Sequence, residues 1–204
     1  MGLFTLAAPI FDLAMKISGH NKVLAELGAR IKDDEDKIKD KSKKRHLLDL
    51  GGGTGELVNS LPESLKITVV DSSEAMLKKG RKKDFSQEVK HVLANGAALP
   101  FADNSFDYLT ISDALHHFYE VEAALSESAR VLKPGGKFYI LEFDPRTFFT
   151  KTIIFFEKMA GEPVNFYMPE KLAAMMAKND LKSDYEYLNK SLYILCAEKS
   201  EFSN

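Results

Sequence analysis

The chain has 204 residues, 45% of them hydrophobic and 28% charged, with a formal net charge of −2. That length supports the core of one ordinary α/β domain and is too short for two large ones. So balanced a charge gives no global field to draw in nucleic acid or an anionic membrane. The single cysteine, Cys196, excludes an internal disulfide and fits a reducing compartment.

At the N-terminus, Met1 to Met15 is apolar but carries Asp12, with no basic leader and no small-residue cleavage site, so no secretory signal is expected. Leu6 stands where myristoylation after Met1-Gly2 needs Ser or Thr. No apolar run reaches the length of a membrane span, and a cytoplasmic protein is expected. Leu3, Leu6, Ala7, Ile10, Phe11, Ala14 and Ile17 fall near helical spacing, interrupted by Pro9, and a second helix is predicted over 23–31. The mixed charge run from Lys32 to Arg45 reads as a solvated linker or helix face.

From there the pattern alternates. Strands are predicted at 46–50, 66–70, 89–93, 106–111 and 137–143, with helices at 54–61, 73–83 and 120–131. Strands alternating with helices imply an α/β fold with a doubly wound, mostly parallel sheet covered on both faces. Lys78, Lys79, Arg81, Lys82 and Lys83 cluster on the second of these helices, as a solvated helix end or, less simply, a nucleic-acid surface. After Asp144-Pro145, large apolar side chains from Phe148 to Met159 crowd a short helix and exceed one core face. They read as the wall of an apolar acceptor site, a dimer interface or ordinary core. Pro169 opens another helix, and late strands at 183–188 and 191–198 form a closing hairpin, completing seven strands.

The chain is organised around Leu47-Leu-Asp-Leu-Gly-Gly-Gly-Thr-Gly55, a buried strand that breaks into glycines and resumes as a helical pattern. That geometry brings backbone close to a cofactor. Glu56 occupies the place where a phosphate-binding loop needs Lys, and where the dinucleotide fingerprint needs a small residue. What remains is Asp49-x-Gly51-x-Gly53-x-Gly55. A second acid, Asp71, ends the next strand, one βαβ unit on, where a carboxylate reaches ribose hydroxyls.

At these residues the chain resembles the class I S-adenosylmethionine-dependent methyltransferases. The resemblance extends through Val69-Val-Asp-Ser-Ser-Glu-Ala-Met-Leu77, Asn95-Gly-Ala-Ala-Leu-Pro-Phe101 and Arg130-Val-Leu-Lys-Pro-Gly-Gly136. Within that class, Arg130 to Phe143, together with Ala8-Pro-Ile-Phe-Asp12, is similar to the ubiquinone/menaquinone biosynthesis methyltransferases. Phe11, His116 and Asp144 depart from that family's Tyr, Arg and Ser.

The resemblance implies a Rossmann-like methyltransferase fold forming a single domain, 1–204. Residues 1–31 would be an N-terminal helical lid (or a helix pair on the sheet edge), 46–143 the cofactor-binding core and 146–180 a substrate-side helical insertion. It implies S-adenosyl-L-methionine as cofactor, a small-molecule acceptor, no nucleic acid and no integral membrane segment, with a homodimer left open. Gly51, Gly53 and Gly55 would admit the cofactor, Asp49 would hold the turn and the cofactor's ammonium, and Asp71 would accept from both ribose hydroxyls. Asn95 and Gly96 would face adenine, with a turn-forming Asn95 as the alternative. Ser72 and Met76 would line the adenine pocket or pack the helix, and Ser112 would meet the methionine portion. Asp113, His116 and His117 are the ionisable groups nearest the transfer point, as general bases or as loop-packing residues. No Cys/His cluster has metal-site spacing, so no metal is expected. The implied reaction is methyl transfer to a small molecule, with C-methylation of a quinone-type or other apolar acceptor foremost. The alternatives are an O- or N-methyltransferase of an unrelated metabolite and a non-catalytic cofactor-binding module.

Overall fold

The computed structural model describes residues 20–201; the helix expected over 3–17 lies outside them. Seven strands form one sheet: β1 (His46–Leu50), β2 (Lys66–Asp71), β3 (Glu88–Leu93), β4 (Phe106–Ser112), β5 (Leu132–Phe143), β6 (Leu181–Tyr187) and β7 (Leu192–Lys199). Their spatial order is β3-β2-β1-β4-β5-β7-β6. The pairs among β1 to β5 are parallel, and β7 runs antiparallel between β5 and β6. This is the mostly parallel, seven-stranded Rossmann-like sheet that the motifs imply.

Alternation along the strands divides the core in two. Leu47, Ile67, Val69, Tyr108, Tyr139 and Leu141 face α1 (His20–Lys37) and α2 (Glu74–Gly80). Leu48, Leu50, Val70, Leu109, Ile111 and Ile140 face the other way, onto α3 (Val121–Val131) and α5 (Pro169–Ala177). Because successive strand side chains point to opposite faces, each central strand is apolar on both sides, as a doubly covered sheet requires. The remaining helix, α4 (Phe148–Ala160), is capped by Thr147 at its start and by left-handed Gly161 at its end.

Two expectations are corrected. The helix predicted over 54–61 is a turn followed by a 3₁₀ helix, Leu57–Ser60. Gly55 takes a left-handed φ of 77° and Pro62 follows at once, which leaves too few residues for an α-helix. Buried Gln87 braces the end of this short turn, donating to Val58 O and Leu61 O at 3.1 and 2.8 Å. Nor is the charge run entirely solvated. Helix α1 continues through Lys37, and Asp34 and Glu35 are buried. Asp34 accepts from Lys137 at 2.7 Å and from the Tyr139 hydroxyl, tying α1 to β5. The basic residues after α2 are partly engaged as well, Arg81 with Glu74 and Lys83 with Thr54 and Glu56.

Candidate active site

The strand order reverses at β1, with β2 on one side and β4 on the other. At such a switch point the loops leaving adjacent strands diverge and open a crevice at the carboxyl edge. Here the crevice is formed by the glycine turn after β1, by Asp71 after β2 and by the loop after β4. Gly51 N–H and Gly52 N–H both donate to Val70 O, at 2.8 and 3.2 Å, so the turn is pinned to β2. At Gly52 an added Cβ would lie 2.4 Å from Asp49 Oδ2, so the turn lies directly over the Asp49 carboxylate.

Asp71 clasps the same turn. Its Oδ2 accepts from Gly53 N–H at 2.9 Å and its Oδ1 from Ser73 N–H at 2.7 Å. Asp49 is buried, and Thr110 donates to it at 2.8 Å. Burial raises its pKa to about 6 against the opposing effect of that hydrogen bond, and the charge of Asp71 adds to the rise.

The larger chamber of the crevice, about 530 Å³, is within the range of small-molecule sites. Gly51, Gly53, Asp71, Ser72, Met76, Asn95 and Gly96 line it, with Asp113 and His117 at the other side. A smaller chamber of about 160 Å³ shares Gly51, Gly53, Met76 and Asp113 and adds Asp49 and Ser112. Ser112 Oγ is buried without a hydrogen-bond partner among the described residues. Gly55 borders neither chamber; an added Cβ there would lie 3.1 Å from Phe85 Cζ, so it serves the packing beneath the turn. Asn95 sits on the rim, where its Oδ1 accepts from Ala97 N–H at 3.0 Å in a turn. The loop that carries it is anchored by Arg130, whose guanidinium donates to Leu99 O, Phe101 O and Glu127.

The two histidines part company. Both lie on the 3₁₀ turn Leu115–His117, but His116 is 3% exposed and borders neither chamber. Its Nδ1 meets the Glu142 carboxylate at 2.9 and 3.0 Å, and its ring stacks on Phe166 with centroids 4.2 Å apart. Burial opposes its charge, yet Glu142 and Glu157 together hold it well above the usual imidazole range. A pocket-facing base at His116, one of the readings of the sequence, is therefore corrected to a buried imidazole facing carboxylates. His117 does line the chamber; burial and the neighbouring His116 charge push its pKa down to about 4. Asp113 borders both chambers with a left-handed φ of 52°, and burial raises its pKa to about 7.

Phe118, Tyr119 and Glu120 also line the large chamber and carry no signal in sequence spacing. Glu142 and Glu157 stand behind the crevice as well; only Glu142 has a signal in the sequence, as an acid inside the apolar run Tyr139 to Phe143. The large apolar residues of α4 line neither chamber. Phe148, Phe149, Phe155, Phe156 and Met159 are exposed, and the buried face of that helix is Thr150, Ile153 and Glu157. Asp144, which replaces the Ser of the resemblance, is buried at the end of β5 and held by Arg146 at 2.6 Å and by Tyr187.

A sequence model of the ubiE/COQ5 methyltransferase family matches residues 14–200, nearly the whole chain. The chain belongs to the ubiE/COQ5 methyltransferase family. A ubiquinone/menaquinone biosynthesis C-methyltransferase UbiE of Escherichia fergusonii is 40% identical over 154 residues, covering 72% of this chain and 58% of that protein. The chain thus spans little more than half the length of the curated relatives it matches. Among solved structures, the CurJ carbon methyltransferase aligns with a TM-score of 0.72 at 15% identity, over 87% of this chain and 54% of that one. Phosphoethanolamine N-methyltransferase 2 of Haemonchus contortus, solved with S-adenosyl-L-methionine, aligns at 0.68 and 16% identity, over 86% and 52%. At those identities the likeness is one of fold.

Proposed function

We propose that the chain binds S-adenosyl-L-methionine in this crevice and transfers its methyl group to a carbon of a small, apolar, quinone-type acceptor. The observation that carries the reading is the pair Asp49 and Asp71 flanking a glycine turn at the switch point of the sheet. Family membership and the C-methyltransferase relative support the acceptor class.

In this reading Asp71 accepts from the ribose hydroxyls with the lone pairs its two backbone bonds leave free. Ser72, Met76 and Gly96 flank the adenine, with the Asn95 side chain at its rim. Asp49 and Ser112 face the amino-acid portion. When bound, S-adenosyl-L-methionine supplies a methyl group already activated by its sulfonium. The chain's task is to hold an acceptor in line and exclude water, so proximity and orientation contribute most of the rate. Asp113 is the proton acceptor that fits best, since it borders both chambers and one of its oxygens is without a partner.

Turnover of isotopically methyl-labelled S-adenosyl-L-methionine with panels of hydroquinones, phenols and amines tests the reading. Label on ring carbon is expected, and Asp113→Asn should lower turnover about 10²–10⁴-fold with cofactor affinity little changed. Label on oxygen or nitrogen would transfer the reading to an O- or N-methyltransferase. Tight cofactor binding without turnover in any panel would leave a binding module.

A further inference from the structure

The cluster behind the crevice holds more ligand atoms than the methyl-transfer reading uses. His116 Nε2 lies 3.6 Å from Glu157 Oε1, too long for a hydrogen bond. Glu157 is 5% exposed, and its Oε2 has no partner among the described residues. His117 Nδ1 is likewise buried and unpartnered. One ligand atom from each of His116, His117 and Glu157 lies within 4.8 Å of the others. Left unmet, each such group costs about 1–3 kcal/mol, so the two unpartnered atoms, Glu157 Oε2 and His117 Nδ1, in a cluster shared with His116, call for a common partner.

The structure assigns this cluster as a binding site for one borderline divalent transition ion of the zinc class, held by His116 Nε2, His117 and Glu157. Two imidazoles and a carboxylate are the donor set such an ion takes, at about 2.0–2.2 Å from each donor. Glu142 supplies the outer support that ligating histidines usually have. It faces His116 Nδ1 at 2.9 and 3.0 Å and accepts from Phe143 N–H at 2.8 Å, which fixes the ring with Nε2 toward Glu157. Glu142 and Glu157 also supply the negative charge that balances the ion in a buried place. The stack on Phe166 and the turn Leu115–His117 hold the rings in place. His117 borders the large chamber, so the cluster adjoins the crevice at that residue. The site holds whether or not the chain transfers methyl groups.

The test uses the full chain without an affinity tag, stripped by chelator and titrated with Zn²⁺ by calorimetry and with Co²⁺ by visible absorption. We expect about one ion per chain, a Kd of about micromolar or tighter and the intense ligand-field bands of four-coordinate Co²⁺. His117→Ala and Glu157→Gln should each weaken binding by more than about 100-fold, and Glu142→Gln by about 10–100-fold. His91→Ala, beside Gly80 and outside the cluster, should change nothing. Circular dichroism checks folding, and if Glu157→Gln does not fold, His117→Ala, at the chamber wall, decides alone. Absence of saturable uptake by the native chain would overturn the proposal and leave His116 and Glu142 as a buried imidazolium–carboxylate pair. Undiminished uptake in His117→Ala would overturn it equally.

Discussion

Replacing Asp71 by alanine removes the carboxylate that joins the glycine turn to the end of β2. Its Oδ2 accepts from Gly53 N–H at 2.9 Å and its Oδ1 from Ser73 N–H at 2.7 Å. Gly53 is buried, so the substitution orphans its N–H, whereas the half-exposed Ser73 turns to water. A hydrogen bond to a charged group contributes about 1.5–3 kcal/mol and an orphaned buried donor costs about 1–3 kcal/mol. One net loss of this kind predicts about 2–3 kcal/mol of destabilisation, roughly a 4–12 °C fall in Tm for a chain this size. On the proposed reading Asp71 also accepts from the ribose hydroxyls, and losing those contacts, with partial replacement by water, should lower cofactor affinity roughly ten- to several-hundred-fold. Calorimetric melting of the free protein measures the first effect. Titration with S-adenosyl-L-methionine, where both proteins are folded, measures the second. Asp71→Asn keeps one acceptor oxygen and should fall between native and alanine in both. A folded Asp71→Ala protein that binds the cofactor with native affinity would refute the ribose assignment, and an unchanged Tm would refute the clasp.

The Asp49 pKa, raised by burial from 3.8 to about 6, gives a pH dependence with a definite sign. The stability it contributes is fully present below its unfolded value and lost as pH rises through about 6, an effect of about 3 kcal/mol; Asp49→Asn should flatten that part of a Tm-against-pH curve. Because a cationic ligand group favours the ionised form, cofactor affinity should move the other way, falling up to about tenfold per pH unit below about 6 in the native chain and not in Asp49→Asn. At Gly28 an added Cβ would lie 2.0 Å from Ser60 O, so Gly28→Ala must displace α1 from the 3₁₀ turn. A cost of about 1–3 kcal/mol should lower Tm by roughly 2–12 °C, and an unchanged melt would show that the helix can shift freely. Phe156 is 63% exposed, so Phe156→Ala should change stability by no more than about 0.5 kcal/mol in a denaturant titration; a larger loss would mean that this face is covered in solution.

The parallel sheet, its covered faces and the crevice at the glycine turn were legible in the sequence because they rest on local regularities. Apolar runs such as Leu47–Leu50 and Lys66–Asp71 carry the strand signal, and a glycine turn after a strand announces close backbone approach wherever it occurs. Asp49 and Asp71 could be read because their distance along the chain is set by a single βαβ unit. Other features depend on residues remote in sequence, and only the folded chain decided them. The end of the 3₁₀ turn that replaces the helix at 54–61 is braced by Gln87, on a different segment, which donates to Val58 O and Leu61 O. Asp34 reads as a solvated charge until α1 crosses β5 and brings it to Lys137 and Tyr139. The adjacent pair His116-His117 looks equivalent in the sequence, yet one ring turns inward to Glu142 while its neighbour lines the crevice. Glu142 on β5 and Glu157 on α4 join those histidines across three separate elements. No spacing rule along the chain could announce them, because each group's charge and partners are set by neighbours that only tertiary packing supplies.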